Sequence, residues 1–137
     1  MTPEQKFAQW VREAMQPCDW QRVESIGSGI PDVNLCVQGL DVWIELKVYT
    51  GGRTLLRKEQ VAWGIRRAIH GGNVGVASLH PSGEIHFWKF PDVNVIPYSK
   101  YCQITTCPFI VVRDKQQFRS FLIASFNSGL LDLIKGT

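Results

Sequence analysis

Apolar positions recur along this chain with two different periods. Phe7, Trp10, Val11 and Ala14 return every three to four residues, the spacing of one helical face. Thr2-Pro3-Glu4-Gln5 opens that stretch with a threonine N-cap, a proline at the first helical position and Gln5 to close a capping box. Pro17 limits the helix from the other side. Trp20 to Ile26 reads as extended, carrying Val23 and Ile26, and Gly27-Ser28-Gly29 breaks it. Val33 to Gln38 is a strand with Val33, Leu35 and Val37 on one face. Gly39-Leu40 is the expected hairpin turn. The return strand, Asp41 to Val48, alternates cleanly. Val42, Ile44, Leu46 and Val48 point one way, and Asp41, Trp43, Glu45 and Lys47 the other.

Beyond the flexible Gly51-Gly52-Arg53, a helix is expected over Leu55 to His70. Val61, Ala62, Ile65, Ala68 and Ile69 would face the core, with Gln60, Gly64 and Arg67 on the opposite side. Gly71-Gly72 ends it. Asn73 to Leu79 and Glu84 to Phe90 are strands about a Pro-Ser-Gly turn. Residues 91–108 hold three prolines and read as irregular. Phe109 to Arg113 is a short strand, and Asp114-Lys115-Gln116-Gln117 is a second capping box. It opens a helix through Phe118, Phe121, Leu122 and Ser125, and a short helical tail is expected after Gly129. The order α-β-β-β-α-β-β-β-α packs naturally as one α/β domain over 1–137, a mixed sheet flanked by helices.

Composition changes this picture little. Apolar residues make up 45% and charged residues 20%, and the net charge is +3, which permits a nucleic-acid partner without requiring one. The amphipathic N-terminus does not read as a signal peptide, so none is expected, and no apolar run is long enough for a membrane span. A soluble, intracellular protein is expected. Cys36 lies in an apolar strand and reads as a small core residue. Cys102 and Cys107 form a C-x4-C pair with no second pair, so reduced thiols fit better than zinc.

The chemistry sits in the hairpin. Glu45 and Lys47, two residues apart, leave the same face of the most hydrophobic strand, and Asp32 begins the strand that pairs with it. Burying unpaired charge is costly, so two carboxylates and a lysine at one sheet end need a reason. A hard divalent cation supplies one, because magnesium takes carboxylate oxygens and completes its shell with water and phosphate oxygens. A solvated strand face and turn chemistry at Asp32 are the plain alternatives. A second Pro-Asp, Pro91-Asp92, has no acid-x-lysine after it, and Glu4-Gln5-Lys6 has no Pro-Asp before it. Only Pro31-Asp32 and Glu45-Leu46-Lys47 occur in order across a hairpin.

Pro31-Asp32 followed by Glu45-Leu46-Lys47 resembles the PD-(D/E)xK nuclease superfamily. That resemblance implies a restriction-endonuclease-like α-β-β-β-α-β core, consistent with the pattern above over residues 1–80. More narrowly, GIPD, WIELK and then KEQ on a helix resemble the VRR-NUC branch, which includes small stand-alone phage proteins acting as dimeric Holliday junction resolvases. The resemblance implies Mg2+ or Mn2+ held by Asp32, Glu45 and the carbonyl of Leu46, with Lys47 as the catalytic lysine. Gln60 would touch the phosphate or the attacking water. Many members add a glutamate from the first helix. Glu4 is preferred over Glu13, although a helix-dipole role explains Glu4 equally well. The resemblance fades after residue 91.

Arg53, Arg57, Lys58, Arg66 and Arg67 surround a single acid, Glu59. Beside a metal motif they are expected to hold the DNA backbone, with Arg53, Arg57, Lys58 and Arg67 as the contacts. Gly64 would admit a backbone or a DNA strand. Trp43 would wall the metal site. Trp63 reads as core or interface, with stacking on DNA the lesser alternative. No role falls to His70, His80 or His86. The expected activity is Mg-dependent hydrolysis of phosphodiesters in branched DNA, above all a four-way junction, by a homodimer in the cytoplasm of a bacterium or a phage-infected cell. Rival readings are a flap, nicking or restriction-like nuclease, or a DNA-binding module without catalysis.

Overall fold

The computed structural model describes residues 1–23 and 28–127. The end of the strand expected over Trp20–Ile26 and the tail after Gly129 lie outside the described residues. Helix α1 spans Pro3–Met15. Its capping box forms: Gln5 N donates to Thr2 Oγ1 at 3.1 Å and Thr2 N to Gln5 Oε1 at 2.8 Å. There follow β1 (Asp19–Arg22), β2 (Val33–Val37), β3 (Leu40–Val48), the two-residue β4 (Leu55–Leu56) and α2 (Lys58–Ile69). Next come β5 (Asn73–Leu79), β6 (Ile85–Lys89), β7 (Val95–Tyr98), β8 (Tyr101–Ile104), β9 (Ile110–Val112) and α3 (Lys115–Ser125).

Six strands form a mixed sheet in the order β1-β2-β3-β5-β6-β9. β3 and β5 run parallel, and α2 makes the crossover such a pair needs. The β2–β3 turn uses Gln38 and Gly39, at φ 50° and 80°. Both are left-handed, as a tight two-residue hairpin turn demands. The turn therefore lies one residue before the expected Gly39-Leu40.

One face of the sheet is sealed by α1 and α3. Phe7, Val11 and Met15 from α1 and Phe118 and Leu122 from α3 bury against Leu35, Ile44, Ala77 and Phe87. The alternation of β2 and β3 is confirmed on this face, where Val33, Leu35, Val37, Val42, Ile44 and Leu46 are all buried. Cys36 points the other way and is exposed, because it falls at an odd register position between Leu35 and Val37. Cys102 and Cys107 are free thiols.

The other face is covered by α2 and a second, three-stranded sheet, β4-β8-β7. That sheet corrects two expectations. Residues 91–108 contain a hairpin, and Leu55–Leu56 pair with β8, so α2 starts at Lys58. The helix is also rotated from its expected setting. Gln60, Val61, Trp63 and Gly64 are buried, whereas Ile65 and Ile69 are 36% and 65% exposed. Burying the indole of Trp63 removes more apolar area from water than either isoleucine would. Gly64 makes room for Phe90: a Cβ there would stand 2.6 Å from its ring. Its close neighbour is thus core and not DNA. Among the described residues no helix is long and apolar enough to cross a membrane.

Candidate metal centre and active site

Strand register brings the two acids together. β2 and β3 pair as far as Val33 opposite Ile44. One further row would place Asp32 opposite Glu45, but the chain has left the ladder there and the edge of β3 is open. The Asp32 side chain fills that gap, with Oδ2 accepting from Leu46 N at 3.1 Å. An extended residue turns its N–H and C=O to the same strand edge. The Leu46 carbonyl therefore faces the edge on which Asp32 sits.

Glu45 is only 5% exposed. Burial raises its pKa from the ordinary 4.5 to about 8. The ammonium of Lys47 opposes that shift, and the Asp32 carboxyl adds to it by charge and by a hydrogen bond. Lys47 Nζ lies 3.4 Å from Glu45 Oε2. The other oxygen, Oε1, is buried without a hydrogen-bond partner. An orphaned carboxylate oxygen beside a second carboxylate is a site that a cation would complete. Asp32, Glu45 and the Leu46 carbonyl form an all-oxygen donor set, which fits magnesium or manganese and not a thiophilic metal.

These groups line an open cavity of about 330 Å³ with Glu4, Arg22, Lys47, Val48 and Gln60. Glu4 is thus at the cavity wall. Among the described residues no three His, Cys, Asp or Glu side chains converge to hold an ion, so Glu4 does not stand as a third carboxylate beside the pair. Glu13 is elsewhere, bound to Lys115 Nζ at 2.6 Å. Gln60 Oε1 accepts from Arg57 N at 2.8 Å. That bond engages the amide oxygen and leaves the NH2 as the hydrogen-bonding group the side chain has to offer. Arg22 was missed from the sequence. It belongs to a strand whose pairing was not assigned, and the register Arg22 opposite Val33 is what sets it beside Asp32.

The basic residues divide. Arg57 and Lys58 open α2 next to Gln60, and Arg53 sits in the loop after β3, with its guanidinium 4.3 Å over the Tyr98 ring. Arg67 is two turns further along α2, about 10 Å from Gln60 by helical rise. It lies against Trp43 and Trp63, at 5.5 and 5.3 Å, and lines a different cavity. Trp43 lines that second cavity as well and packs on Trp63, so it does not wall the acid pair. Trp63 is core. His80 and His86 stack at 3.6 Å between Tyr49 and Trp88, a ladder that their sequence spacing did not announce.

No protein-family model matches the chain, and no curated protein matches it. A solved structure does: Hjc of Archaeoglobus fulgidus, a Holliday junction resolvase from an archaeal hyperthermophile. The two agree with a TM-score of 0.53 at 19% sequence identity, over 74% of this chain and 86% of that one. The shared feature is the fold, a mixed sheet flanked by helices.

Proposed function

We propose that this chain is a divalent-metal-dependent DNA endonuclease of the PD-(D/E)xK type that cuts branched DNA, above all four-way junctions. The carrying observation is the Asp32–Glu45–Lys47 cluster, with its buried, unpartnered Glu45 oxygen opening on a cavity. The fold it shares with a Holliday junction resolvase supports the choice of substrate. GIPD, WIELK and KEQ favour the VRR-NUC branch within the superfamily, and with it a homodimer that presents two sites to two strands.

Asp32, Glu45 and the Leu46 carbonyl would hold Mg2+ or Mn2+. When bound, the ion neutralises phosphate charge and lowers the pKa of a water. The protein's own groups do the rest. Lys47 brings a positive charge to the cavity from the Glu45 side, where it stabilises charge developing on a phosphodiester and orients the attacking water. The Gln60 NH2 donates to a phosphate oxygen. Arg22, Arg57 and Lys58 draw in the backbone and make affinity salt-dependent. Glu4, from the wall of the same cavity, would join the hydration shell of the ion. Arg53 serves DNA further from the cut. Arg67, off the cavity, is a DNA contact only if the duplex extends along α2.

The substrate is tested with a labelled four-way junction, a 5′ flap and the matching linear duplex, each with magnesium, manganese or chelator. Paired symmetric cuts in the junction, sparing of the duplex and silence in chelator are expected. Preferential flap cleavage would move the assignment to a flap nuclease. Binding without cleavage in every metal would leave a DNA-binding module.

A further inference from the structure

The outer face of the β4-β8-β7 sheet is exposed, aromatic and basic. Its inner face is spent on the core, where Leu56 and Ile104 are buried. Outward, Ile96, Tyr98 and Tyr101 remain 49%, 38% and 39% exposed. Tyr98 and Tyr101 stand directly opposite each other across the β7–β8 hairpin. Cations attend both rings, with the Arg53 guanidinium over Tyr98 and Lys100 Nζ 6.0 Å from the Tyr101 centroid. Residues 49–58 and 93–108, which carry this sheet, supply Arg53, Arg57, Lys58 and Lys100 and no acid at all.

Flat apolar rings rimmed by cations suit a ligand that joins flat faces to negative charge. Nucleic-acid bases that are free of their own stack, on a phosphate backbone, have that chemistry. A second copy of this chain fits worse, since a two-fold contact through this face would set one cationic, acid-free surface against another. One chain of neighbours links the face to the cavity of Asp32 and Glu45. Leu56 opposite Cys102 sets Tyr101 alongside Arg57, whose N–H is held by Gln60 at the cavity wall.

We propose that this face is a branch-point platform. Tyr98 and Tyr101 stack on unstacked bases, Arg53 and Lys100 hold the flanking phosphates, and the platform sets the preference for branched over linear DNA. The proposal rests on the nuclease reading above and adds the origin of its selectivity.

The test measures binding in chelator, so that nothing is cut, by fluorescence anisotropy on a four-way junction and a linear duplex of the same arms. A 2-aminopurine at the branch reports stacking. The variants are Tyr98→Ala/Tyr101→Ala and Tyr98→Phe/Tyr101→Phe, each checked for an unchanged melting temperature. The alanine pair is expected to weaken junction binding by about tenfold or more, the loss of one to two stacked bases. Duplex binding should stay near that of the parent, the 2-aminopurine signal should lose its quenching, and the phenylalanine pair should restore both. An unchanged junction-to-duplex ratio in the alanine pair overturns the platform and leaves the nuclease reading standing. So does an unchanged ratio together with conversion of a dimer to a monomer in sedimentation, which would make the face a self-interface. Failure of the parent protein to bind any DNA sinks both ideas.

Discussion

The two faces of the six-stranded sheet are built by different rules. Towards α1 and α3 the strands present aliphatic and aromatic side chains, and the large residues there, Phe7, Leu35, Ile44, Phe87 and Phe118, are sealed from solvent. Towards α2 the same strands present Glu45, Lys47 and Ser78 beside the apolar Val74, Val76 and Trp88. There Ser78 Oγ pairs with Thr54 Oγ1 at 3.1 Å, while Glu45 Oε1 pairs with nothing. One face is arranged for stability alone. The other gives up some stability to keep a desolvated carboxyl at a cavity. Strand β3 serves both, and its alternation is the device that separates them.

The contrast can be broken from either side. On the sealed face Leu35→Ala should cost about 2–5 kcal/mol, because the close-packed neighbours collapse only partly into the space. Denaturant unfolding measures it, and nuclease activity per folded molecule should not change. On the other face Glu45→Gln should act in the opposite direction. The folded carboxyl titrates near pH 8 and the unfolded one near 4.5, so as pH rises the unfolded chain releases this proton first. Metal-free protein is therefore fully stable, as far as this group decides, below about pH 4.5 and loses stability up to about pH 8. Glu45→Gln should remove that decline, an effect on the order of a few kcal/mol at the upper end, read from melts across the window. A mutant that keeps the same slope would locate the titration elsewhere. Smaller again, Gly64→Ala should cost about 1–3 kcal/mol, since its Cβ meets Phe90. The exposed Ile69→Ser on the same helix should change stability by less than about 0.5 kcal/mol.

How much of this was legible in the sequence follows the same division. The alternation of β2 and β3 could be read because period two fixes which residues share a face, but their register could not, since the turn falls at Gln38-Gly39 and not at Gly39-Leu40, and that turn sets Asp32 level with Glu45. Asp32, Glu45 and Lys47 converge for that reason. Helix α2 was misread because its apolar residues offer two stripes. Choosing Trp63 and Gly64 over Ile65 and Ile69 depends on Phe90, more than twenty positions away. The β7–β8 hairpin was hidden by Pro97, which still fits because it lies in a strand at the edge of its sheet. Arg22 escaped notice because its place at the site comes from pairing partners and not from any local pattern.

The most direct test of the central claim is cleavage of a four-way junction in magnesium by the parent protein, Asp32→Asn and Lys47→Ala, with junction binding followed alongside. Asparagine can still accept from Leu46 N, so the fold of the strand edge survives while the charge goes. Both variants should bind the junction and melt like the parent, and cut it at least about 100-fold more slowly. Variants that cut at the parental rate would contradict the assignment of this cluster as the active site.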